Sequence, residues 1–281
     1  MGNYASFLVE PRRPSFIGYP QEASTAKAVM IGVPYDASST CRPGSRYAPQ
    51  RVREVSQDLE TYDVKRRLDV SDLPVADLGD VITGLSATEM IRDVSRVVRE
   101  LHASGKRVAA VGGDHTVTLG LLHGQSAPLP TVVFDAHLDF RDEYPRGEKL
   151  SHATVVRRAV EGLSSVVIAV GVRAVSKEEI QALEGEERVI VLPPESSIKD
   201  LEDALSILDS PLHLSIDMDV LDPAYAPGVG CPEPGGLTFP QLRNLLEAVL
   251  ERRVASVDVV EVNPLVDVND VTSRVAAKIL M

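Results

Sequence analysis

The segment DAHLDFRDEY, residues 135–144, follows the apolar run TVVF and sets Asp135, His137 and Asp139 two positions apart. A strand turns alternate side chains to one face, so these three converge at its end instead of scattering. Convergent carboxylates repel one another unless a positive charge sits among them. Other apolar runs end in comparable groups: GGDH at 112–115, DMD at 217–219 and EVNP at 261–264. Each alone has a plain structural explanation, since His115 could be a satisfied polar residue and Asp135 could cap the next element. Together, His115, Asp135, His137, Asp139, Asp217 and Asp219 place two imidazoles and four carboxylates at three strand ends.

Nitrogen and oxygen donors without thiolate suit divalent ions such as Mn, Co, Ni or Zn. Four carboxylates around one such cation leave buried negative charge unbalanced, whereas two cations balance it. Two ions at a dinuclear separation of roughly 3.5 Å lower the pKa of a water held between them toward neutrality. The reaction class expected of the set is hydrolysis.

These groups need a frame that brings strand ends together. β-Branched runs recur near residues 28, 74, 107, 131, 165, 188, 212 and 254. Helical-period segments separate them, best marked at 86–104 and 238–252, each opened by a Ser or Thr able to cap. Strands alternating with helices predict an α/β fold: a three-layer α/β/α domain over residues 1–281, with a mainly parallel sheet of about eight strands and an N-terminal arm at 1–25. In such sheets ligands bind beyond the carboxyl ends of the strands, where the charged groups fall. The Pro- and Gly-rich stretch DPAYAPGVGCPEPGG at 222–236 directly follows DMD, which makes it an active-site loop and not a domain boundary.

A formal net charge of -12 argues against a nucleic-acid surface and accords with a cationic small substrate or metal ions. No segment approaches the roughly 18 apolar residues of a membrane helix, and the N-terminus lacks a signal-peptide core, so a cytoplasmic protein is expected. Two cysteines, Cys41 and Cys231, are too few for a disulfide framework, which makes free thiols the default and a single bridge the alternative.

The motifs GGDHT, DAHLD, SHATVVRRA, SIDMDVLDPAYAPGVGCPEPGG and EVNP, in this order, resemble the ureohydrolase family, which comprises arginases, agmatinases and related guanidino-acid hydrolases. The likeness runs from GVPYD at 32 to the C-terminal AAKIL, almost the whole chain. It implies an arginase-like fold and two manganese ions. One ion would be held by His115, Asp135, Asp139 and Asp217, the other by His137 and Asp219, with Asp135 and Asp217 shared. It further implies that Glu261 receives the guanidinium and that His152 shuttles protons or polarises the substrate. Hydroxide bridging the metals would attack the guanidinium carbon, and Asp139 or His152 would relay a proton to the leaving amine. Trimers or hexamers are the assembly the family implies.

The opening GVPYDASSTCRPGSRYAPQRVRE and the closing EVNPLVDVNDVTSRVAAKIL are similar to agmatinases, and FRDEYPRGEKLSH lacks the Asn- and Ser-containing pattern of arginases. Agmatine, cleaved to putrescine and urea, is therefore the expected substrate, with Asp142 or Glu143 on an acidic rim facing its distal ammonium. The loop SHATVV stands where HGTPF is frequent, and Cys231 where threonine is common. Both departures bear on substrate choice, so arginase or guanidinobutyrase activity is the alternative. More remote readings are a metal-dependent deacetylase or a non-catalytic metal-binding protein. His102, His123 and His213 are expected in solvation or packing, although His213 shares the parity of Ser215 and Asp217.

Overall fold

The computed structural model describes residues 7–208 and 211–281. Among these described residues, nine strands form one sheet: β1 (Val9–Glu10), β2 (Ala28–Gly32), β3 (Val75–Val81), β4 (Arg107–Val111), β5 (Thr131–Phe134), β6 (Val167–Val170), β7 (Val189–Leu192), β8 (Leu212–Asp217) and β9 (Val254–Val260). Their order is β1-β3-β2-β4-β9-β8-β5-β6-β7. Every pairing is parallel except that of β1, which runs antiparallel to β3 through Val9 opposite Val81. The eight parallel strands stand where the β-branched runs predict them. The ninth comes from the expected arm, and at two residues it carries no periodicity to read. Of that arm, residues 1–6 lie outside the described residues.

The helices are α1 (Ala48–Ser56), α2 (Ala87–Ala103), α3 (Val117–His123), α4 (Val155–Arg158), α5 (Lys177–Leu183), α6 (Ile198–Leu205), α7 (Phe239–Leu250) and α8 (Val271–Leu280). Ser86 accepts the N–H of Glu89 while the Glu89 carboxylate accepts that of Ser86, which fixes where α2 begins. Its Met90, Val94, Val97, Val98 and Leu101 then make one buried stripe. Thr238 and Gln241 cap α7 in the same reciprocal way. Among the described residues, no helix is long and apolar enough to cross a membrane.

Strand parity sorts the core into layers. Met30, Val132, Phe134, Ile168, Leu214, Ile216 and Val259 pack with α1, α6, α7 and α8 on one face. Val29, Ile31, Val108 and Val260 pack with α2 and α3 on the other, where Val133, Val167 and Ala169 continue the layer around Val156 of α4. On that second face β8 and β9 carry His213, Ser215, Ser256 and Asp258, all buried polar groups where neighbouring strands carry aliphatic ones.

Outside the charged motifs, Arg53 of α1 is wholly buried against Asp77 at 2.7 Å and Asp80 at 2.6 Å. Its guanidinium also donates to the Gly79 carbonyl at 2.9 Å, so α1 is keyed to β3 by a satisfied ionic contact.

Candidate metal centre

The four strands in the middle of the sheet, β4, β9, β8 and β5, supply the charged groups. β8 and β9 come last in sequence yet lie between β4 and β5, so segments at 112–115, 135–139, 217–219 and 261 meet at one edge. The approach is close. A Cβ on Gly113 would stand 1.6 Å from the Tyr35 carbonyl oxygen, so only glycine lets the loop after β2 cross the end of β4.

His115 Nδ1 lies 3.0 Å from Asp135 Oδ2, 2.9 Å from Asp139 Oδ2 and 3.5 Å from Asp217 Oδ2. His137 Nδ1 lies 2.9 Å from Asp219 Oδ2 and 3.6 Å from Asp135 Oδ1. Two groups result, His115 with Asp135 and Asp139, and Asp135 with His137 and Asp219, the donor atoms of each within 4.8 Å of one another. Asp135 belongs to both. The carboxylates are aimed by backbone N–H groups: Asp135 Oδ1 accepts the His137 N–H at 2.6 Å and Asp217 Oδ1 that of Asp219 at 2.9 Å, both within their own loops, and Asp219 Oδ1 accepts that of Ala136 across the strand ends at 3.0 Å. The second oxygen of each is left facing the cluster.

His115 Nδ1 and Asp135 Oδ2 are buried and close, yet neither has a hydrogen-bond partner. Lone pairs aimed at a common point instead of at one another are what a divalent cation completes, and the imidazole and carboxylate donors fit that ion class. The electrostatics agree. Burial and then the Asp135 charge push Asp139 up to about 7. Asp217 and Glu261 are likewise raised, by burial first and neighbouring carboxylates second. For His115 and His137 burial acts downward but is outweighed by the adjacent carboxylates, which raise both. The crowd of acids calls for positive charge.

A buried polar chain supports His115 from behind. Its Nε2 is 3.1 Å from Ser215 Oγ, which donates to Asp258 Oδ1 at 2.7 Å. Because the single Ser215 hydroxyl proton goes to a carboxylate, His115 Nε2–H is the donor to Ser215, and Nδ1 keeps its lone pair for the cluster. Asp258 Oδ2 lies 2.9 Å from His213 Nε2, and His213 Nδ1 is 2.8 Å from Ser256 Oγ. His213 thus packs inside, three steps behind His115. His102 and His123 stay outside it, on the last turns of α2 and α3.

The cluster floors a cleft of about 500 Å³ lined also by Glu261, His152, Tyr144, Arg141 and Glu233. Glu261 adopts φ 63, uncommon for a long side chain, and its Oε1 accepts the His115 N–H at 2.8 Å. His152 is placed by residues that sequence reasoning passed over. Ser38 Oγ lies 3.3 Å from its Nδ1 and Thr40 Oγ1 3.3 Å from its Nε2, and Ser38 donates in turn to Asp114 at 2.8 Å. Nothing local in 36–41 announces this, since the partners lie 76 to 114 residues away. Burial, then repulsion from His115 and His137, lowers His152 to about 4, so its ring is neutral at pH 7.

Asp142 and Glu143, expected on the rim, do not line the cleft. Asp142 instead faces Arg158 at 2.9 Å, Arg157 at 3.5 Å and Lys149 at 3.7 Å. Strand alternation has ended by residue 140, and the basic pair at 157–158 draws Asp142 aside. Arg141 and Tyr144 face the cleft in their place, the guanidinium 5.0 Å from the ring centroid. Glu179 also lines it but is occupied, accepting the N–H groups of Phe140 at 3.0 Å and Ser176 at 2.9 Å.

Comparison with known proteins agrees with this arrangement. The family model described as "Arginase family" matches residues 26–281. The N(1)-aminopropylagmatine ureohydrolase of Thermococcus kodakarensis is 33% identical over 92% of this chain and 90% of its own. The guanidinopropionase of Pseudomonas aeruginosa is 34% identical over 95% and 89%. The crystal structure of the agmatine ureohydrolase of Thermoplasma volcanium superposes with a TM-score of 0.88 at 33% identity, over 96% of this chain and 92% of that one.

Proposed function

The chain belongs to the arginase family, and on that premise we propose that it is a ureohydrolase of the agmatinase type that cleaves agmatine to putrescine and urea. The observation that carries the reading is the meeting of His115, His137 and the Asp135, Asp139, Asp217 and Asp219 carboxylates beneath a cleft that also holds Glu261. His115, Asp135, Asp139 and Asp217 would hold one divalent ion, and His137 with Asp219 a second, sharing Asp135 and Asp217; manganese is the proposed metal. When bound, such a pair acidifies water and steadies the charge that develops at the guanidinium carbon.

The chain's own groups do the rest. Opposite the cationic guanidinium, Glu261 is held ionised despite its burial, accepts paired N–H bonds and sets the guanidinium carbon over the cluster. The leaving amine needs a proton, which Asp139 or the neutral His152 ring passes on. With Asp142 turned away and Glu179 occupied, Glu233 is the carboxylate left to face the distal ammonium of agmatine.

One observation favours a second substrate class. Arg141 lines the cleft with its nearest carboxylates, Glu178 and Glu179, no closer than 3.8 and 3.9 Å, so it could receive the carboxylate of a guanidino acid. Urea release after chelation and manganese restoration, with agmatine, N(1)-aminopropylagmatine, arginine, 3-guanidinopropionate and 4-guanidinobutyrate side by side, tests both. Fastest turnover of agmatine supports the main reading. Preference for an acid replaces it, and no urea from any of them overturns the hydrolase. A homotrimer or homohexamer is proposed with it, to be checked by light scattering, where a monomer would refute the assembly.

A further inference from the structure

The chain's two cysteines are 190 positions apart, yet both line the cleft, Cys41 exposed and Cys231 partly buried. The two side chains are neighbours where their loops meet. The loops that carry them are pinned on either side of the pair. Asn263 Nδ2 donates to the Arg42 carbonyl at 2.8 Å, next to Cys41, and Thr40 touches His152. Asn263 N–H donates to the Gly228 carbonyl at 2.7 Å, and Arg173 holds the Glu233 carbonyl at 2.7 Å, bracketing Cys231. The backbones also approach: a Cβ built on Gly230 would stand 3.4 Å from the Arg42 oxygen and 3.7 Å from Glu261 Oε2.

We propose that Cys41 and Cys231 are an oxidisable pair that closes into a disulfide across the mouth of the cleft and shuts the site, with a hydroperoxide as oxidant. The sulfur of exposed Cys41, as thiolate, attacks the peroxide O–O bond, giving a sulfenic acid and, with hydrogen peroxide, one water. The Cys231 sulfur then attacks the Cys41 sulfur, the S–O bond breaks, and the second water leaves with the Cys231 proton. Two thiols and one peroxide become one disulfide and two waters; the thiols lose two electrons and the peroxide gains them. A dithiol reverses the bond by exchange. Burial, then the neighbouring Cys41, raises the Cys231 thiol to about 12, so exposed Cys41 is the one to meet the oxidant first, and Cys231 gives up its proton only as it attacks.

Closure joins the loop of Thr40, a neighbour of His152, to the loop beside Glu261, so a guanidino substrate with a tail loses its way in. The bridge itself does not depend on what the enzyme cleaves; the shutting of turnover rests on the hydrolase reading. Reduced, metal-loaded full-length protein would be treated with stoichiometric hydrogen peroxide. Titration in denaturant without reductant should fall from two thiols to none, with intact mass lower by two hydrogens and a peptide linking Cys41 to Cys231. Two surviving thiols, a sulfinate, or a bridge between chains would overturn the pair. Urea release should drop at least tenfold and return with dithiothreitol, whereas C41S and C231S, each compared with itself before oxidation, should not respond. A bridge that leaves turnover unchanged overturns the gate. Protein that releases no urea even when reduced indicts the hydrolase reading, while the thiol count and mass still decide the bridge.

Discussion

The Glu261 carboxylate accepts the backbone N–H of His115 at 2.8 Å, joining the end of β9 to the end of β4 at the point where the cluster begins. The group proposed to receive the guanidinium is thereby positioned by the same loop that supplies a proposed metal ligand. In Glu261→Gln the amide oxygen can still accept that bond, so metal content and fold should persist. What is lost is the charge facing the guanidinium. A fall in kcat/KM of about 30-fold or more for agmatine is expected, from the ~2–5 kcal/mol of a buried charged contact. Urea release and metal analysis on the same sample check it, and unchanged kcat/KM would remove Glu261 from substrate binding.

Asp258 never touches the cluster, but through Ser215 it sets which nitrogen of His115 is free. Asp258→Asn should weaken manganese binding about 10- to 100-fold, the range for lost support behind a ligand. Chelator competition on the metal-free protein measures this without assaying turnover. Unaltered affinity would show that the chain is packing only.

His152 is lowered to about 4 from an ordinary 6.5, chiefly by burial. Between these values the unfolded chain binds the proton that the folded ring refuses. Its contribution is therefore intact above pH 6.5 and is lost as pH falls toward 4. Denaturant unfolding from pH 7 to 4 should show a shallower loss in His152→Gln than in the wild type. A ring that titrates near 6.5 by NMR would refute the shift.

Glu233 and Arg141 offer opposite charges to a substrate tail. Glu233→Gln should lower kcat/KM for agmatine several-fold, about 1 kcal/mol for a partly exposed contact, and spare guanidino acids. Arg141→Gln should do the reverse. Side-by-side kinetics decide, and equal effects on both classes would mean that neither residue reads the tail.

Arg53→Ala would strand Asp77 and Asp80, none of which lines the cleft, without their buried partner. The expected cost is roughly 3–5 kcal/mol, visible in the denaturation midpoint. A loss below 1 kcal/mol would show that water or Arg12, 2.9 Å from Asp80, takes over.

Much of the frame is legible in the residues because β-branched runs, cap residues and acid clusters are local. Val132 and Val133 announce a strand, and Ser86 with Glu89 announces a helix start, whatever surrounds them. Strand order is not local. Nothing in 212–260 says that β8 and β9 slip between β4 and β5, although only that order brings Asp217 to His115. The site residues read most surely lie at or just beyond strand ends: Asp217 closes β8 and Asp135 follows β5, while Asp139 at φ 52 and Asp219 in a 3-10 turn are brought in by loop backbone that strand parity does not describe. Asp142 lies beyond the strand, where alternation no longer says which way a side chain turns, and Ser38 and Thr40 carry no local signal because their partner His152 is distant in sequence. His213 was readable by parity as a residue of the same face, but its partner Asp258 required the neighbouring strand.

The late insertion of β8 and β9 also governs how the molecule is made. A nascent chain that has just released β5 carries two bare sheet edges, on β4 and β5, and holds His115 apart from Asp135 for want of the strands that belong between them. Such edges are sticky, and they stay open until the last quarter of the protein is synthesised. Any ion held by the proposed set would then be captured late, because Asp217 and Asp219 arrive with β8, and its presence would report that β8 has reached its place between β9 and β5.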